Sequence, residues 1–205
     1  MEIRNSFLAM GLKMANIQLP PMLDVEKRRL YDKARDFLVG KKADHTGMFV
    51  NEYFDKNDNW LESCHGWIQW AFPIDTISQY NDKCGNYFRD NQYLMREYNQ
   101  SGQLSGNREK LTSLYLATIG INLHTGTDVN KFFRVVDSPY NHHMKRISRL
   151  LTHLMLTGAT YDARTLYRVL INDIVSLRPN NFLPLTIAYW SSIVLEFDDT
   201  TREKL

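Results

Sequence analysis

Residues 61–73, LESCHGWIQWAFP, decide how the rest of the chain is read. Placed on a helix, Glu62, His65 and Gln69 fall at i, i+3 and i+7 and share one face, while Trp60, Cys64, Trp67, Ile68 and Ala71 cover most of the other. The spacing predicts one helix from about Trp60 to Phe72, ended by Pro73, because the residue before a proline is pushed out of the helical region. Trp67, Trp70 and Phe72 form an aromatic set on that segment. A ligand slot is one use for them, but their helical spacing favours packing in a core.

Working outward, the same helical period recurs. Asp24 reads as the N-cap of a helix to about Val39, with Leu30, Tyr31, Ala34, Phe37 and Leu38 on one stripe and Gly40 as the stop. Lys41 to Asn59 reads as a loop with a short ordered piece around Met48 to Phe54, and Tyr87 to Asn99 as a short helix. Gln100 to Asn107, rich in Ser, Gly and Asn, reads as a mobile surface loop. Residues 107–121 carry a stripe of Leu111, Leu114, Tyr115, Thr118 and Ile119, broken by His124 to Gly126. Further helices are expected near Val129 to Val136, at Asn141 to Leu156 with Met144, Ile147, Leu151 and Leu154 as a seam, at Tyr161 to Leu177, and after Pro184 through about Phe197. No stretch alternates apolar and polar residues over strand length, and there is no internal repeat. The expected fold is all-α, a single compact bundle of seven or so helices with the 61–73 segment at its centre. Its boundaries are an extension over 1–22, a helical domain over 23–198 and a tail over 199–205.

The 61–73 stretch also resembles the signature of the opioid growth factor receptor (OGFr) conserved region, which runs approximately L-E-x-x-H-x-aromatic-I-Q-W-x-F-P. Leu61, Glu62, His65, Trp67, Ile68, Gln69, Trp70, Phe72 and Pro73 all fit it. The likeness continues in order through REKLTSLYLATIGINLHTGTDV after Asn107. It extends to HHMKRISRLLTHL at 142–154, where Arg146, Ile147, Arg149, Leu150 and Leu151 meet an R-I-x-R-hydrophobic-L core. The resemblance covers roughly residues 45 to 175. It implies an OGFr-like helical domain, and, since that family is named for a peptide receptor, a module that binds a peptide or protein.

Two polar rows carry the candidate chemistry. Glu62, His65 and Gln69 form the first; His142, Arg146, Arg149 and His153, spaced by 4, 3 and 4, form the second. A row with a carboxylate and a row with two guanidiniums are expected to meet, with Glu62 or Gln69 bonded to Arg146 or Arg149. Glu62 and His65 can alternatively be read as metal ligands or as an acid–base pair, the core of an enzyme reading. A di-iron site, however, requires a second Glu-x-x-His, which the sequence lacks. No metal and no cofactor are therefore expected, and no catalytic residue is assigned. The Arg and His row can also face solvent and bind an acidic peptide. The neighbours His142 and His143 point about 100° apart on a regular helix, which excludes their chelating one ion together.

Composition bounds the remaining choices. With 205 residues, 43% hydrophobic and 23% charged, the sequence suits one soluble domain. A net charge of +2 argues against a nucleic-acid partner, which needs a concentrated basic face. The two cysteines are too few for a disulfide scaffold, so a reducing, cytoplasmic compartment is expected. Lys13 and Glu2 interrupt the only stretch that resembles a signal sequence, and no run reaches the roughly 18 apolar residues of a membrane span.

Overall fold

A computed structural model describes residues 24–74, 97–98, 100–137 and 142–202. Helix α1, Asp24–Leu38, buries Ala34, Phe37 and Leu38, and Gly40 ends it with φ of 73°. Ala34, Phe37 and Leu38 of the expected stripe and the Gly40 stop are as the sequence predicts, Tyr31 is half-buried, and the Leu30 side chain lies outside the described residues. The segment that follows is held by Asp44. Its carboxylate accepts from Thr46 N and Oγ1 at 2.7 Å each, Met48 N at 3.0 Å and the Tyr53 hydroxyl at 2.6 Å. Burial alone would raise that carboxyl's pKa, but the bonds from Tyr53, Thr46 and Met48 outweigh it and the pKa is lowered. Short helix α2, Val50–Tyr53, follows from this turn.

The signature stretch is where the structure departs most from expectation. It is not one helix but two: α3, Asp58–Ser63, and α4, Trp67–Ala71, separated at Cys64 to Gly66. Cys64 is extended, with φ of −86° and ψ of 99°. In a continuous helix Leu61 O and Glu62 O would accept from the amides of residues 65 and 66. Here side chains take over: Leu61 O accepts from the Trp67 indole at 2.8 Å and from Arg146 at 3.2 Å, and Glu62 O accepts from Arg146 at 3.3 Å. Gly66 lowers the cost of the break, since glycine is a poor helix former. The turn lets α4 lie in the core with Trp67, Ile68, Gln69, Trp70 and Ala71 all buried, so the aromatic signature is packing. Trp67 meets Tyr53 and Tyr115 edge-on, and Trp70 meets Phe37. Losing an indole of this kind costs about 3–5 kcal/mol.

Helix α5, Gly102–Thr118, begins inside the stretch read as a loop. Ser101 caps it by accepting from Leu104 N at 3.3 Å, Leu104 is buried, and Gln103 and Asn107 donate to Val39 O and Leu38 O at the end of α1. The polar residues that suggested a mobile loop are thus a helix cap and two ties to a neighbouring helix. A two-residue hairpin follows, β1 (Ile121–Asn122) antiparallel to β2 (Gly126–Thr127), short enough to leave no alternation in the sequence. Asp128 then caps α6, Val129–Val136, by accepting from Lys131 N at 2.9 Å.

The second half matches its prediction closely. Helix α7, His143–Leu156, buries Ile147, Leu150, Leu151 and Leu154, and Gly158 closes it with φ of 78°. Helix α8, Thr160–Arg168, continues as a π-helical turn over Val169–Val175, and α9 runs over Pro184–Arg202, so residues 199–202 of the expected tail are helical. Both α8 and α9 pack on α7, and α1 packs on α4 and α5. Trp190 of α9 is fully buried and donates to Ser148 Oγ of α7 at 2.9 Å. One contiguous apolar core joins these layers, from Phe37 through Trp67, Tyr115 and Leu151 to Trp190. The protein is therefore predominantly α-helical, a multi-helix bundle. Among the described residues no helix is long and apolar enough to cross a membrane. The predicted 1–22 extension, the Ile74 to Gly85 link beyond Ile74, most of the 87–99 helix and the Ser138-Pro139 turn lie outside the described residues.

Candidate functional site

Helix α7 presents its basic row to the signature segment, and each member of the row meets it at a different level. Arg146, 5% exposed, donates to Leu61 O, Glu62 O and, at 3.4 Å, Glu62 Oε2. One turn on, Arg149 Nε donates to Phe72 O at 2.7 Å. Beyond it, His153 Nδ1 lies 2.7 Å from Pro73 O. A carbonyl can only accept, so Nδ1 carries the proton of that ring. Burial pushes the His153 imidazole down to about 3, which keeps it neutral. The row therefore does what backbone amides would do in an unbroken helix: it satisfies the carbonyls left at the ends of α3 and α4.

The expected meeting of Glu62 with Arg146 is present, and it is a smaller part of a larger cluster. Glu62 Oε1 is 2.9 Å from His142 Nε2, and Glu62 Oε2 is 2.8 Å from His143 Nε2. The sequence argument against the two histidines fails because His142 is not in the helix. It is the N-cap of α7, with φ of −104° and ψ of −3°, so the 100° step between helical neighbours does not apply. The two rings lie 4.9 Å apart, tilted by 34°, and both Nε2 atoms reach the same carboxylate. The helical-step argument excludes His143 from the candidate residues, and the structure brings it in. A helix start between Ser138-Pro139 and the seam, read as an N-cap position, is the signal that could have kept it.

His143 is almost wholly buried, with its Nδ1 3.5 Å from the Tyr115 hydroxyl. Burial drives its pKa well below the ordinary histidine value, against the attraction of Glu62. Burial also raises the Tyr115 phenol and lowers the Arg146 guanidinium. Glu62 and His142 are the solvent-facing members, with side chains 42% and 24% exposed. His65 and Gln69 do not share a face with Glu62. His65 sits in the break between α3 and α4, exposed, with its ring edge-on to His142 at 4.9 Å, and Gln69 is buried in α4, joined to neither arginine by a hydrogen bond among the described residues. The predicted three-residue stripe is thus dispersed by the break, and an acid–base pair of Glu62 with His65 is replaced by one carboxylate held between two other imidazoles and a guanidinium.

Among the described residues, Glu62, His142 and His143 form a group whose candidate ligand atoms all lie within 4.8 Å of one another. Elsewhere on the surface, the outer side of α9 is apolar, with Leu185 55%, Tyr189 53% and Leu195 58% exposed and Leu183 beside them at 72%. Compared with family models, curated proteins and solved structures, the chain matches none of them.

Proposed function

We propose that this protein is an OGFr-like helical domain acting as a binding module, and that it docks an amphipathic helical segment of a partner protein on the outer face of α9. The observation that carries this reading is the composition of that helix. From Leu185 to Leu195, LTIAYWSSIVL, it holds no charged residue. Ile187, Trp190, Ile193 and Val194 face the core, while Leu185, Ala188, Tyr189 and Leu195 face outward. A helix that is apolar on both sides belongs between two layers, and among the described residues only one layer packs on it.

The size of the face selects the occupant. Leu183, Leu185, Tyr189 and Leu195 together offer about 450 Å² of accessible surface, comparable to the largest apolar patches on monomeric proteins. That is short of the roughly 800 Å² per partner that a stable protein interface buries, so a single helix fits it better than a second copy of the domain. Ala188 and Ser192 fall between the larger side chains in helical order, a spacing of large and small residues that suits the apolar ridge of another helix. The resemblance of Leu61–Pro73 to a family named for peptide reception supports the same class of function. The free Cys64 fits a reducing, cytoplasmic setting. In contrast, the arginine row is a poor candidate for gripping an acidic peptide, because Arg146 and Arg149 are engaged with backbone carbonyls.

Selection from a displayed library of randomised helical peptides tests the proposal. Peptides with apolar residues at i, i+3, i+4 and i+7 are expected to enrich on the wild-type domain. They are expected to bind Leu185→Lys/Tyr189→Lys at least tenfold more weakly, with the melting temperature unchanged. Equal binding by the double variant overturns the docking site. A melting temperature lowered by the surface lysines, or a dimer that they dissociate, overturns the assignment of the face to a peptide.

A further inference from the structure

We propose that Glu62, His142 and His143 form a binding site for one divalent transition-metal ion of the zinc, cobalt or nickel type. Two imidazole nitrogens and one carboxylate are the donor set such ions prefer, whereas magnesium and calcium select all-oxygen surroundings. The set is drawn from two distant parts of the sequence, α3 and the N-terminus of α7, and is brought together by the fold. It is also independent of the α9 face.

The distances lie close to those an ion requires. Ligand atoms about 2.0–2.1 Å from a tetrahedral centre are separated from one another by about 3.3 Å. In the structure the carboxylate–imidazole separations are 2.9 and 2.8 Å, and no pair in the set exceeds 4.8 Å. Each contact therefore has to change by roughly 0.5 to 1.5 Å at most to reach that spacing, within the reach of small rotations of the Glu62 side chain and the two rings. Glu62 is partly exposed, which gives an ion a path in from its side, while the Nε2 atoms of His142 and His143 are buried and His143 supplies the fixed point.

The surroundings suit the role. Histidines that bind metals characteristically use their other ring nitrogen for a second contact that fixes the ring, and the Tyr115 hydroxyl lies 3.5 Å from His143 Nδ1. Arg146, 3.4 Å from Glu62 Oε2, orients the carboxylate in the same way. The Arg146 cation opposes a second positive charge, so the affinity expected is micromolar, a Kd of about 1–100 μM, rather than that of a closed structural zinc site. Three protein ligands leave at least one position for water or an exogenous ligand.

The test uses the full chain stripped with a chelator and titrated with Zn²⁺ alone by calorimetry, and with Co²⁺ followed by its visible absorption. One equivalent is expected to bind, with Zn²⁺ displacing Co²⁺. Glu62→Gln and His142→Ala, at partly exposed positions whose folding is checked by circular dichroism, are each expected to weaken binding at least tenfold. His124→Ala, on the hairpin, is expected to leave it unchanged. A wild-type Kd weaker than about 1 mM overturns the site. So does a stoichiometry above one, or binding that survives both Glu62→Gln and His142→Ala, because the ion would then sit on other surface histidines.

Discussion

Replacing Arg146 by alanine removes a guanidinium that is 5% exposed and serves three acceptors: Leu61 O at 3.2 Å, Glu62 O at 3.3 Å and Glu62 Oε2 at 3.4 Å. A hydrogen bond from a charged donor is worth about 1.5–3 kcal/mol, and these lie at or beyond the long end of the usual distance range, so at most the lower figure applies to each. The expected loss is about 4 kcal/mol, in line with the removal of one member of a buried pair. For a chain of this size that lowers the melting temperature by about 8–16 °C. Glu62→Gln separates the two parts of the role. Its side chain is 42% exposed, so water screens the charge, and the isosteric amide leaves both backbone carbonyls capped; about 1 kcal/mol is expected. Arg146→Lys keeps the charge but loses the planar fork that spans separate acceptors, and an intermediate cost of about 2 kcal/mol follows. Urea unfolding followed by circular dichroism measures all three. A loss below about 1 kcal/mol for Arg146→Ala would refute the carbonyl-capping account. A Glu62→Gln loss as large as that of Arg146→Ala would instead assign the energy to the ion pair.

Two further outcomes follow from buried positions. Burial holds the His153 imidazole at about 3, below the roughly 6.5 of an unfolded histidine, so the unfolded chain takes up the proton first as the pH falls. Its contribution is complete above about pH 6.5 and is lost between there and pH 3; at pH 5 the loss is about 2 kcal/mol. Urea midpoints at pH 7.5 and 5 measure this, and an equal drop in His153→Gln would count against it. Gly120 has φ of +78°, and an added Cβ would lie 2.7 Å from Asp128 O and 2.9 Å from Lys131 Cβ. Gly120→Ala should cost about 3 kcal/mol. Gly47→Ala, with φ of +88° but open space around it, should cost only about 1 kcal/mol. Equal thermal shifts at the two positions would remove the steric part of that argument.

The fold class was legible because the core of each long helix is written in its own period. In α7, Ile147, Leu151 and Leu154 recur at steps of 3 and 4, and Gly158 marks the end; nothing outside the helix is needed to read them. The errors arise where a residue's partner lies far along the chain. Gln103 and Asn107 look like loop residues until the carbonyls of α1 are beside them, and those are 64 and 69 residues away. The signature looks like one helix for the same reason: Glu62, His65 and Gln69 have helical spacing, and the guanidinium that competes for the helix's own acceptors comes from 84 and 85 positions downstream.

That competition explains why only half of the candidate site is legible in the sequence. The sequence predicts that the two polar rows pair side chain with side chain, since charge is what a sequence displays. A backbone carbonyl is identical at every position and leaves no trace in the letters, yet Leu61 O, Glu62 O, Phe72 O and Pro73 O are the principal acceptors of the basic row. With the helix broken between α3 and α4 and Arg146 bonded to the freed carbonyls, Glu62 no longer stands above His65. It turns instead toward the N-terminus of α7, where His142 leaves the helical phase and both imidazoles converge on it. The local cause of the break and the composition of the cluster are thus one event. A variant that restores a continuous helix across Cys64 to Gly66 should therefore disperse Glu62 from the two histidines even with every side chain of the cluster intact.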